Sequence, residues 1–207
     1  MPNIVQITDF QQANSLNIPL SNDVPVSNAG MQSPNSKKYL EDLIIEVEKT
    51  VLLNAFGLSM YNELQLALAD IDNPLYASYK KLVQGEEYDS KYWEGLKPLL
   101  DYKVYEEFLI SSNNRLSALG VAQTNVQNAT LVTPAYKIAN ASQKFAKKYQ
   151  GGYLETPIIT DNFIDWFGQN DDVEVSLYRY MIDKKTDFPL FDIYKFRTYE
   201  TQNSFGI

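Results

Sequence analysis

Residues that open and close helices recur along this chain every few helical turns, and they constrain its fold more than any other feature. Ser33-Pro34 supplies an N-cap and a proline in the first turn. Leu40, Leu43, Ile44, Val47, Val51 and Phe56 follow at helical spacing, with Glu41, Glu48 and Lys49 assigned to the opposite, solvent-facing side. Gly57 closes this helix as a C-cap residue. Ser59 then caps a second helix carrying Leu64, Leu66 and Leu68. Asn73-Pro74 starts a third, with Leu75, Tyr79, Leu82 and Val83, closed by Gly85. Residues 85–88 read as a loop leading to Trp93. A fourth helix begins near Leu96 and runs through Leu99, Leu100, Val104 and Tyr105 to Phe108 and Leu109, with a continuation ended by Gly120.

The second half is less regular. Residues 121–132 are polar and partly β-branched, and read either as a loop or as a short strand pair. Thr133-Pro134 caps a fifth helix through Tyr136, Ile138, Phe145 and Tyr149, stopped by Gly151-Gly152. Asp161 is expected to open a short helix through Ile164, Trp166 and Phe167. Asp171-Asp172-Val173-Glu174 matches a capping box opening a helix to about Lys184. Beyond Pro189 the chain reads as extended. The predicted fold is mainly α: an antiparallel helical bundle over residues 34–185, an extended N-terminal arm (1–33), an aromatic-rich extended tail (186–207), and room for one short β element.

Composition narrows the chemistry. The 207 residues include no cysteine and no histidine. That removes disulfides, thiolate metal sites, and the Ser-His-Asp and Cys-His arrangements of nucleophilic catalysis. Neither GxGxxG nor a Gly-Lys-Ser/Thr phosphate loop occurs, so no cofactor is expected. The N-terminus has no basic and apolar signal segment, and no apolar run approaches membrane-spanning length, so a soluble, intracellular chain without membrane contact is expected. Net charge is −8, and residues 37–112 hold most of it, with 8 basic and 14 acidic side chains. Such a chain is ill suited to gripping nucleic acid.

Carboxylates are the one kind of catalytic group in supply. Glu86, Glu87 and Asp89 form one cluster, and Asp161, Asp165, Asp171, Asp172 and Glu174 a second region. Paired carboxylates serve glycoside hydrolysis or divalent cations. Helix capping accounts for Asp161 and Asp171, and the spacing of a calcium loop is not met, so neither a metal nor a catalytic residue is assigned. Lys144, Lys147, Lys148 and Tyr149 form the one basic-aromatic cluster, which a helix C-terminus accounts for.

The two ends supply the candidate docking residues. In the arm, Ile18, Leu20, Val24 and Val26 lie in apolar patches between prolines. In the tail, Phe188, Phe191, Tyr194, Phe196, Tyr199, Phe205 and Ile207 follow no helical period. So many aromatics left in water mark an interaction site. Packing back onto the chain's own domain and docking on another subunit are both compatible with the pattern.

The run from Leu53 to Leu64 (LNAFGLSMYNEL), the Tyr88…Tyr92-Trp93-Glu94-Gly95-Leu96-Lys97-Pro98 stretch and the segment Tyr102 to Leu109 (YKVYEEFL) resemble the head–tail connector, or adaptor, proteins of tailed bacteriophages. The likeness is nearest to those of phages infecting Bacteroidetes, including the crAss-like group, and Asn203-Ser204-Phe205-Gly206-Ile207 is similar to their endings. It covers residues 37–120 well and the rest loosely, and its motifs are apolar and turn signals with no active site. The resemblance implies a structural virion protein rather than an enzyme. It would be made in the host cytoplasm and form a homo-oligomeric, commonly dodecameric ring in the neck or tail. That ring binds the portal protein and other tail rings and continues a channel through which DNA passes without specific binding. Two other classes stay open on the residues: a small carboxylate-dependent glycan hydrolase of the virion, and a soluble regulator that binds a host protein through the aromatic tail.

Overall fold

A computed structural model of the chain describes residues 3–11, 16–18, 35–113, 116–117, 120–121, 134–160, 163–169 and 174–200. The fold is mainly α. Its elements are α1 (Asn35–Ala69), α2 (Ala77–Gln84), β1 (Glu86–Tyr88), β2 (Lys91–Trp93), α3 (Leu96–Asn113), β3 (Leu116–Ser117), β4 (Gly120–Val121), α4 (Pro134–Gln150), β5 (Gly152–Thr160), β6 (Phe163–Gln169) and α5 (Leu177–Asp183). Helix α3 is central and packs against α1, α2 and α4. The strands form three separate antiparallel hairpins, β1-β2, β3-β4 and β5-β6.

Most of the helix punctuation is seen where the residues are described, but Ser59, expected to cap a second helix, lies inside α1, which resumes directly after Gly57. Helix α1 breaks at Gly57, whose φ of 70° and ψ of 173° lie outside the helical region. Asn73 caps a short 3-10 turn, Pro74–Tyr76, by accepting a hydrogen bond from the Leu75 N–H, and α2 follows directly. The expected caps at Ser33 and Thr133 lie outside the described residues. Gly85 and Gly95 mark where the chain crosses itself at the base of the β1-β2 hairpin. A Cβ on Gly85 would stand 2.5 Å from the Trp93 carbonyl oxygen, and one on Gly95 2.5 Å from that of Val83.

Five other local expectations are corrected. Residues 86–93 form a hairpin rather than a loop. Asp89 and Ser90 both take positive φ, the twist that joins two strands through a two-residue turn. Helix α3 ends at Asn113, and Gly120 belongs to β4. Residues 163–169 form a strand, not a helix: β-branched Ile158, Ile159 and Ile164 lie in a hairpin with Phe163 and Trp166, and Thr160 pairs with Phe163. Helix α5 starts later than the acidic capping box implied. Its cap is Ser176, whose hydroxyl accepts from the Arg179 N–H, while Glu174 bridges to Tyr92. Finally, the extended tail contains a 3-10 turn at Ile193–Lys195.

One continuous core draws on the whole chain. Leu40, Ile44, Val51, Phe56 and Met60 from α1 meet Leu99, Leu100 and Val104 from α3. Trp93 is buried at the base of the hairpin, stacks on Tyr180 at 5.2 Å and donates its indole N–H to the Leu82 carbonyl at 2.9 Å. Val5, Phe10 and Ile18 join from before residue 34, and Phe188 and Phe191 from after residue 185.

Candidate functional site

The candidate site is the seam where the two terminal segments meet α1. The N-terminal grip is a carboxylate. Glu48, expected on the polar face, is only 4% exposed. Its Oε2 accepts from the Ile4 N–H at 3.0 Å and the Val5 N–H at 3.2 Å, and its Oε1 from the Ile4 N–H at 3.2 Å. Burial pushes the Glu48 pKa up, and it outweighs the two backbone donors that pull it down. Beyond this grip the arm folds into a 3-10 turn, Ile7–Phe10, in which Asp9 accepts from the Gln6 N–H at 2.8 Å and pairs with Lys97 at 2.7 Å. Asp101, on α3, faces this pair. One of its oxygens, Oδ1, is buried without a hydrogen-bond partner. Burial first, and the charge of Asp9 second, raise its pKa to about 7, against the pull of Lys97.

The C-terminal grip is backbone pairing with aromatic anchors. The Gly57 break leaves carbonyls of the preceding turn without partners four residues on. The Arg197 N–H fills one of them, donating to the Asn54 carbonyl at 2.9 Å. The Asn54 side chain donates to the Tyr199 hydroxyl at 2.8 Å. Buried Gln150, at the end of α4, holds the Tyr199 backbone from both sides. Its Oε1 accepts from the Tyr199 N–H at 2.7 Å, and its Nε2 donates to the Tyr199 carbonyl at 2.9 Å. The Tyr199 ring stands edge-on to Phe145 at 5.0 Å and to Tyr149 at 5.1 Å. Lys103, paired with Glu106 and Glu107, lies 5.3 Å over the Tyr199 ring.

The structure divides the predicted docking residues. Ile18, Phe188 and Phe191 are buried in the chain's own core, so of the two readings they follow packing back onto the domain, and their listing as docking residues is corrected. Phe188 is spent on Tyr79, edge-on at 5.4 Å. Phe196 is half-buried against Tyr149 at 4.7 Å and Tyr178 at 5.0 Å, and Tyr199 is held as described. Tyr194, 69% exposed, is the outward-facing aromatic of the described tail. Leu20, Val24, Val26, Phe205 and Ile207 lie outside the described residues.

The carboxylate candidates are dispersed. Glu86 accepts from the Tyr180 hydroxyl at 2.8 Å and pairs with Lys81 at 3.0 Å and Lys184 at 3.5 Å. Burial pushes its pKa up, but these partners outweigh it and hold the carboxyl below its ordinary value. Glu87 and Asp89 are exposed on the hairpin. Glu174 pairs with Lys148, which also binds Glu94, so Lys148 of the basic cluster is neutralised. Lys144 lies 5.3 Å over the Tyr102 ring. Asp165 sits in β6, and Asp161, Asp171 and Asp172 fall outside the described residues. Among the described residues no group of three acidic side chains could hold a metal ion, and no helix is long and apolar enough to cross a membrane.

Sequence reasoning missed Glu48, Asn54 and Gln150. A signal existed for Glu48: it falls four residues after Ile44 and three before Val51, on the apolar stripe itself. Asn54 and Gln150 carry no such mark, because their partners come from a tail without periodicity. Comparison with protein-family models, with curated proteins and with solved structures finds no match to this chain.

Proposed function

We propose that this chain is a structural subunit of a tailed-phage neck, assembling into a ring that joins the portal to the tail and continues the DNA channel. One observation carries the reading. The runs that resemble connector proteins are the buried framework of the helical body, with Phe56, Met60, Trp93, Leu96, Val104 and Phe108 all inside it. The likeness is therefore to what holds the subunit's shape. The exposed charge is consistent with a DNA channel. Glu41, Asp42, Glu46, Asp70, Asp72, Glu87 and Asp89 face solvent, and acidic walls gain nothing from counterion release, so DNA slides past without binding. The outward Tyr194 and the segments carrying Leu20, Val24, Val26, Phe205 and Ile207 are the parts assigned to neighbouring subunits and to the portal.

Native mass spectrometry of the full chain, alone and mixed with the portal ring of the same phage, tests this. The expected spectrum shows a portal carrying one dodecameric complement of the chain. A portal recovered bare at saturating chain overturns the portal-joining reading.

A further inference from the structure

A groove of about 390 Å³ opens between α1 and α3. Its floor is Leu43, Val47, Val51 and Ile110, and its rim includes Glu46 and Glu107. Val47 and Val51 are buried, while Leu43 and Ile110 stay half-exposed, so the floor is an apolar strip open to a partner. The rim is acidic. Glu107 is paired within the chain, with Lys103 at 2.9 Å. Glu46 faces solvent, and exposed Asp42, one turn earlier on α1, extends the same edge.

Helix α4 carries the opposite charge. Its 17 residues include four lysines and no acid. Lys148 is taken up by Glu94 and Glu174, but Lys137, Lys144 and Lys147 are exposed, with Asn140 and Gln143, along one face. Tyr136 stands 64% exposed on that face, one turn before Asn140. A large aromatic in water on a basic helix, and an apolar strip with an acidic edge, are the two halves of one interface: an anchor, its pocket, and opposite charges around them. Nucleic acid fits the basic face less well, because it meets a chain of net charge −8 and leaves the apolar strip uncovered.

We infer that the α4 face of one copy docks in the α1–α3 groove of the next copy, with Tyr136 on the apolar strip and Lys137 and Lys144 against Asp42 and Glu46. The inference rests on the ring reading and names the junction of that ring. The two faces differ, so the contact is head-to-tail and repeats from copy to copy, and it closes where the rotation between copies divides the circle. Asp42 and Glu46 then belong to the junction rather than to the channel wall.

The chain contains no cysteine, so full-length chains carrying one each can join only to another copy. Thr50→Cys marks the groove and Asn140→Cys the α4 face; both side chains are exposed and neutral. The two variants are mixed with the portal ring of the same phage and oxidised. The control replaces Asn140→Cys with Leu66→Cys, exposed beyond the Gly57 break and outside the groove. The Thr50–Asn140 disulfide is expected to form about tenfold faster than the Thr50–Leu66 one. Adding Tyr136→Ala to the Asn140→Cys chain, a change at an exposed position, is expected to bring the rate down to the control, and an unchanged rate overturns the anchoring. A loaded portal with equal rates for both pairs overturns the inference and leaves the ring reading standing. A bare portal with equal rates overturns both. A fast groove pair beside a bare portal upholds the junction and overturns only the joining to the portal.

Discussion

Glu48 shows how much one misplaced polar residue can organise. A carboxylate on an apolar stripe is costly to bury unless donors meet it, and here the donors are the backbone amides of the arm. Glu48→Ala leaves the Ile4 and Val5 N–H groups without their acceptor, and a loss of about 1–3 kcal/mol is expected in urea unfolding. Glu48→Gln keeps an acceptor oxygen and is expected to lose less. Asp101 provides the pH response. Its folded pKa of about 7 stands above the ordinary carboxylate value, so the folded state holds this proton more tightly than the unfolded chain. Stability is then expected to fall as pH rises from about 4 to about 7 and to level off above it. Glu48, also raised, acts in the same direction. Asp101→Asn is expected to flatten that decline and to raise stability at pH 8 by at most about 4 kcal/mol, read from melting curves across the pH range.

At the scale of elements, the tail is the missing cap of a broken helix. The Gly57 break, the Arg197 N–H and the Gln150 amide form one arrangement, in which a side chain at the end of α4 mimics a neighbouring strand for Tyr199. Gln150→Ala is expected to cost about 1–3 kcal/mol. Limited proteolysis is expected to show earlier cleavage after Lys195 and Arg197 while the helical circular dichroism holds. The helices were legible in the sequence because Gly57, Asn73-Pro74, Gly85 and Gly151 act through local backbone geometry. The hairpins were less so. Asp89-Ser90 is not the usual pair for a turn with two positive φ values, and Phe163 to Phe167 fits a helix stripe as readily as a strand until β5 pairs with it. The seam was hidden for a different reason: Gln150 and Tyr199 are 49 residues apart and meet only in the folded chain.

For the whole molecule, the division between body and tail falls at a different place from the change in composition. The aromatic tail begins near residue 186, yet Phe188 and Phe191 belong to the core. Truncation after residue 187 is expected to cost at least the 3–5 kcal/mol of one deleted core phenylalanine and to unfold the chain at modest temperature. Truncation after residue 200 is expected to leave the melting temperature within a few degrees of the full chain. Calorimetry on the two truncations distinguishes a tail that builds the fold from one that only extends it.

The two grips on α1, at Glu48 and at Asn54, are six residues apart, about 9 Å along the axis. A tension applied between the two terminal segments therefore runs through less than two turns of one helix. Part of the load also enters α3 through the Asp9–Lys97 pair and α4 through Gln150 and Tyr199. Val5 and Phe10 on one side and Phe188 and Phe191 on the other are themselves core residues, so a pull that breaks both grips loads the core next.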